Sequence, residues 1–233
     1  MEYEYKQLPL IIQPPCDETF SSFISFGQDD ILSSLQHALN SEYGGYIYLW
    51  GANGTGKSHL LHSAISWCES CLQSSCYIPL QYIEQLKPEM LSDLENMHLI
   101  CLDNLEFIAD KPDWELAVFN LFNRIKAKGK LLLITSNTSA RNLNIQLPDL
   151  KSRLDWGLNY QLQKHSDNEK LAILQLRANL RGLVLSDDSG KFLLNRASRN
   201  ISELCQMLSQ LDLASMSAQR KLTIPFIKQT LGF

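Results

Sequence analysis

Gly51-Ala52-Asn53-Gly54-Thr55-Gly56-Lys57-Ser58 has the spacing of a phosphate-binding loop: glycine, four residues, glycine, lysine and a hydroxyl residue. Glycines let successive backbone N–H groups turn towards one anion, and the dipole of a following helix adds to the attraction. Lys57 is then expected to reach the outer phosphates of a nucleotide, and the Ser58 hydroxyl to hold its magnesium ion. The expected nucleotide contacts are Gly51, Gly54, Thr55, Gly56, Lys57, Ser58 and the adjoining His59. A second candidate closes the run Leu99-Ile100-Cys101-Leu102-Asp103. An acid that emerges from a buried parallel strand at its carboxyl end can hold the same magnesium, so Asp103 joins Ser58 as a metal contact. Asn104 follows, where ATPases of this general class often carry a carboxylate to polarise water. An amide cannot accept that proton, so weak hydrolysis by the chain alone is expected. Asn137 closes another apolar run, where its amide would sit beside the terminal phosphate or serve as an ordinary turn residue.

These residues need a scaffold, and the apolar pattern supplies one. Short runs at 46–50, 76–80, 98–102, 131–135 and 159–162 read as strands, and helical periodicity lies between them. Helices are expected late in the stretch Asp17 to Asn40, where Ile31, Leu32, Leu35 and Leu39 carry helical spacing, from about Lys57 to Leu72, through Leu86, Met90, Leu91 and Leu94, and from Trp114 to Lys128. From Ser166 onwards only helical patterns remain, at about 187–196, 201–214 and 224–231. The expected fold is therefore α/β, a parallel five-stranded sheet flanked by helices, followed by a small all-helical domain. The division is an arm over 1–18, a nucleotide-binding base over 19–165 and a helical lid over 166–233. Phe20, Phe23 and Phe26 either flank a purine ring or staple the arm to the core.

Composition narrows the function. With 21 Lys and Arg against 25 Asp and Glu, the net charge of −4 offers no general pull towards nucleic acid. Lys126, Lys128 and Lys130 cluster at a helix end, where they complement its dipole. No signal sequence or membrane-length apolar run is found, so a cytoplasmic protein with reduced cysteines is expected. Cys68 and Cys71 fall on one predicted helix downstream of His59 and His62, an arrangement that does not converge on zinc. The early segment Gln7-Leu8-Pro9-Leu10-Ile11-Ile12 is an apolar peptide in a proline-rich arm, suited to a groove on its own domain or on a partner.

Taken together, the phosphate loop, Asp17-Glu18-Thr19-Phe20, Gly45 to Trp50, Ser152-Arg153-Leu154-Asp155-Trp156-Gly157 and Ala218 to Phe226 resemble the AAA+ superfamily. Within it they are most similar to the branch of the bacterial replication initiator DnaA and its regulatory inactivators. The resemblance implies that Gln7, Leu8, Leu10, Ile11 and Ile12 dock on the DNA polymerase III sliding clamp, and that DNA is reached through it. It implies that Arg153 enters the ATP site of DnaA in trans and promotes ATP hydrolysis, which turns the initiator into its inactive ADP form. The chain would thus be a negative regulator of replication rather than an enzyme. Its own bound ADP or ATP, with Mg2+, would order the domain; self-association stays open. Ser202 stands where relatives present a lid arginine to the nucleotide, and Arg199, three residues earlier, is the substitute on offer. The chain ends at Phe233 with no origin-reading domain in view, so specific origin recognition is not expected. Two other readings remain. One is a helicase-loader-like ATPase acting alone; the other is a non-catalytic scaffold between clamp and initiator, with Arg153 ion-paired to Asp149 or Asp155.

Overall fold

A computed structural model describes residues 18–196, 200–218 and 221–233. Five parallel strands form one sheet: β1 (Gly45–Trp50), β2 (Ser75–Pro79), β3 (Leu99–Asp103), β4 (Leu131–Ser136) and β5 (Leu158–Gln161), in the order β2-β3-β4-β1-β5. Strand side chains alternate between faces, and here both faces are apolar. Tyr48, Ile100, Leu102, Leu132 and Ile134 pack under α3 (Pro112–Lys128) and α4 (Pro148–Trp156). Ile47, Leu49, Cys101, Leu131 and Leu133 pack under α1 (Asp29–Asn40) and α2 (Lys57–Ser70). In register, Trp50 lies beside Ser136 and Pro79 beside Asp103, so the strand ends that carry the candidate residues share one edge of the sheet.

The lid has its own core. Helices α5 (Asp167–Leu180), α6 (Asp187–Arg196), α7 (Ile201–Ala218) and α8 (Ile224–Leu231) bury Leu174, Leu193, Leu204, Leu208, Leu211 and Ile227 against one another. Ser166 starts α5 with a capping box: its hydroxyl accepts the Glu169 N–H while the Glu169 carboxylate receives the Ser166 N–H.

Two helix expectations are corrected. The stretch through Leu86 to Leu94 is a series of short 3-10 turns, Leu80–Gln85, Pro88–Leu91 and Leu94–Asn96, rather than a helix. Pro88 holds Lys87 in extended backbone, and Asp93 takes a left-handed φ of 62°; either ends a helix. Helix α2 stops at Ser70, because Leu72 turns to φ 56° and faces solvent. No described helix is long and apolar enough to cross a membrane.

Gly157 joins α4 to β5 where no side chain fits. A Cβ there would lie 2.0 Å from Tyr46 Cδ1 and 2.7 Å from the Tyr46 carbonyl oxygen. Gly157→Ala is therefore expected to cost about 1–3 kcal/mol through overpacking. Thermal unfolding checks this, and an unchanged melting temperature would show that Tyr46 moves aside freely.

Candidate functional site

The phosphate loop leaves β1 and enters α2 through Gly56, whose φ of 95° is the left-handed backbone that glycine tolerates. A Cβ at Gly56 would stand 2.8 Å from Phe23 Cε2, so the aromatic ring lies directly on the loop. No side chain caps α2, and its first N–H groups remain available to an anion. Thr55 braces the loop by donating its hydroxyl to the Ala52 carbonyl at 2.9 Å. The Lys57 ammonium, 6% exposed, donates to the carbonyls of Gly51 and Ala52 at 2.7 and 2.9 Å. Burial pushes its pKa down, partly offset by Glu106 and Asp103.

A cavity of about 610 Å³ opens over this loop, walled by the base on one side and the lid on the other. Gly54, Gly56, Lys57, Ser58, His59 and Asn137 line it, bringing together most of the residues expected from sequence. Asp103 does not line it. It is 2% exposed and accepts the hydroxyls of Tyr77 and Thr135. Ser202 lies in the lid wall, at the start of α7. A Cβ on Gly54 would be 3.2 Å from Ile201 Cγ2, which shows how closely α7 approaches the loop. Arg199 and the arm residues Gln7, Leu8, Leu10, Ile11 and Ile12 lie outside the described residues. Phe23 packs with the base core, edges His59 at 5.4 Å and lines the cavity wall.

Sequence reasoning missed three charged groups in this cavity: Glu106, Arg177 of α5 and Arg181 just past the end of that helix. Arg177 carries a readable signal, since it continues the core spacing of Leu171 and Leu174 and is 5% exposed. Its guanidinium donates to Glu18 Oε1 at 3.2 Å and to His59 Nδ1 at 2.8 Å. Arginine has no acceptor, so His59 Nδ1 must accept. The ring proton therefore sits on Nε2, which donates to the Thr19 carbonyl at 3.0 Å. The other Glu18 oxygen receives His62 Nδ1–H. The Glu18 carboxyl is buried, which opposes its charge. The hydrogen bond from His62 and the charge of Arg177 beside it act the other way, and its pKa is lowered. The cavity wall is thus pinned where Glu18, α2 and the lid meet.

Arg153 stands elsewhere, on α4 and away from this cavity. It makes no ion pair among the described residues. Asp155 is bound by Arg141 at 3.0 Å, and the Arg153 guanidinium lies 6.0 Å from the ring of the exposed Trp156. Lys126 covers that ring at 3.6 Å, which gives this member of the lysine cluster a contact beyond the helix dipole.

The uncapped start of α2 thus lies under a helical lid, and family comparison places both parts of the chain. Residues 18–161 match the model of the bacterial DnaA ATPase domain, and residues 167–231 match that of the Hda lid domain. The chain belongs to the bacterial DnaA ATPase-domain family. Domain III of the Thermotoga maritima replication initiation protein DnaA superposes with a TM-score of 0.76 at 20% identity, covering 94% of this chain and 98% of that one. DnaA from Aquifex aeolicus bound to AMPPCP gives 0.68 at 20% identity, over 85% of this chain and 66% of that one. The Thermotoga maritima RuvB Holliday junction branch migration motor gives 0.65 at 15%, over 92% and 71%. At these identities the likenesses to solved structures establish the AAA+ fold. Membership of the DnaA family, with an Hda-type lid, makes this a DnaA-related replication regulator.

Proposed function

We propose that this chain is an inactivator of the replication initiator. In this reading it holds an adenine nucleotide in the cavity over α2 and docks through Gln7, Leu8, Leu10, Ile11 and Ile12 on the sliding clamp loaded on DNA. From there it presents Arg153 to ATP bound by DnaA. The α2 amides and Lys57 would take the phosphates, the lid would close over the nucleotide, and the bound group would fix lid against base rather than react. A guanidinium near the γ-phosphate stabilises the charge that develops as the phosphoryl group leaves. ATP–DnaA would become ADP–DnaA. The chain itself would be a regulator with weak hydrolysis of its own, because Asn104 offers no base beside Asp103.

The observation that carries this reading is the setting of Arg153. It is bound by neither Asp149 nor Asp155 among the described residues and does not line the chain's own cavity, so it is available to a neighbour. That setting also weighs against the scaffold reading, which requires the ion pair. The experiment measures hydrolysis of DnaA-bound ATP with clamp-loaded DNA. Intact chain should accelerate it and Gln7→Ala should lose most of the acceleration, since a docking peptide loses affinity when its anchor is truncated. Acceleration that persists without clamp removes the docking step. Absence of acceleration with rapid ATP turnover by the chain alone replaces the whole reading with that of a self-contained ATPase.

A further inference from the structure

One carboxylate, Asp103, ends β3 and a second, Glu106, follows it, and their settings differ. Asp103 has both oxygens occupied: the Tyr77 hydroxyl donates to Oδ2 at 2.6 Å, and the Thr135 hydroxyl donates to Oδ1. Thr135 also receives the Asn104 N–H at 2.9 Å. Tyr77 belongs to β2 and Thr135 to β4, so Asp103 ties three neighbouring strands together. Magnesium needs carboxylate oxygens about 2.0–2.1 Å away, or a water between, and keeps an octahedral shell. A buried acid already holding two hydroxyls and absent from the cavity wall does not fit that demand.

Glu106 does fit. Asn104 takes left-handed backbone, φ 61° and ψ 57°, which reverses the chain into the 3-10 turn Leu105–Ile108. The turn brings Glu106 back over the end of β4, where its Oε2 accepts the Asn137 N–H at 3.2 Å. Its Oε1 accepts no hydrogen bond among the described residues. Glu106 lines the cavity together with Ser58, Lys57 and Asn137. Its charge also acts on Lys57 more strongly than that of Asp103 does. A nucleotide-bound magnesium ion is usually held by phosphates, waters and one or two carboxylates, and a half-free carboxylate on the phosphate side of the cavity provides one.

We propose that Glu106, rather than Asp103, is the carboxylate through which this chain recognises the magnesium ion of a bound nucleotide, with the Ser58 hydroxyl as its companion. Asp103 then serves as a strand clamp. The inference rests on the adenine-nucleotide reading above, and its test separates the two. ADP is titrated calorimetrically into the full chain with excess Mg2+ or with EDTA, for wild type, Glu106→Gln and Asp103→Asn. In wild type, Mg2+ tightens ADP binding about tenfold or more, the scale expected when metal-supporting groups act. Glu106→Gln brings the two affinities within about twofold and leaves binding in EDTA intact. Asp103→Asn keeps the Mg2+ effect but melts at lower temperature.

A Glu106→Gln protein that retains the full Mg2+ effect overturns the proposal, and so does a folded Asp103→Asn protein that loses it. Where Asp103→Asn does not fold, the Glu106→Gln result decides alone. Wild-type chain that binds ADP equally with and without Mg2+ overturns this inference only. Wild-type chain that binds no ADP overturns the nucleotide reading along with it.

Discussion

Arg153→Ala should lower clamp-dependent hydrolysis of DnaA-bound ATP about a thousandfold, the lower end of what an arginine supplied in trans is worth to phosphoryl transfer. The chain's own melting temperature should stay where it is, because Arg153 is half-exposed and holds no ion pair among the described residues. That contrast is the diagnostic. A structural arginine would lose stability and function together, whereas a presented one loses function alone. Arg153→Lys should recover little, since an ammonium keeps the charge but cannot bridge two oxygens with a planar fork. The measurement is single-turnover decay of ATP preloaded on DnaA, with the variant at saturating concentration. Full activity of Arg153→Ala would favour the scaffold reading instead.

Which parts of this molecule sequence could reveal follows from how local their causes are. The strands were readable because β3 and β4 bury both faces and contain almost nothing but apolar residues. The phosphate loop was readable because its glycines, lysine and serine are contiguous. The segment around Leu86 to Leu94 was not: its leucines carry helical spacing, but Pro88 and the left-handed Asp93 break the backbone between them. Glu106 escaped for a related reason. Asn104 takes left-handed backbone, and the reversal there turns Glu106 into the cavity wall, which a strand pattern ending at Asp103 does not foretell. Asp103 stands at the strand end where the sequence put it, but the hydroxyls that its oxygens accept come from Tyr77 and Thr135 on neighbouring strands, which no local pattern reveals. Ser202 lies at the cavity wall, and Arg177 and Arg181, which share that wall, come from a segment read only for its helical pattern.

The junction of Glu18, His59, His62 and Arg177 makes the second large effect. Arg177→Met should destabilise the chain by about 3–5 kcal/mol, because removing one member of a buried ion pair leaves the other uncompensated. Arg177 is 6% and Glu18 16% exposed by side chain, so solvent screens the pair little. Replacing both, as Glu18→Gln with Arg177→Met, should cost less than the sum of the single changes, and chemical denaturation of the four proteins measures that coupling. The pH dependence has a definite sign. Glu18 has a folded-state pKa below the ordinary 4.5, so its contribution is fully present above about pH 4.5 and is lost as pH falls through the folded value. Glu18→Gln should therefore flatten the acid limb of the stability curve and leave its slope near neutrality unchanged. The junction joins residue 18, α2 and α5 at the cavity wall, so the same variants should also weaken ADP binding if lid and base close on the nucleotide together. Stability lost without any change in ADP affinity would confine the junction to folding and separate it from the nucleotide.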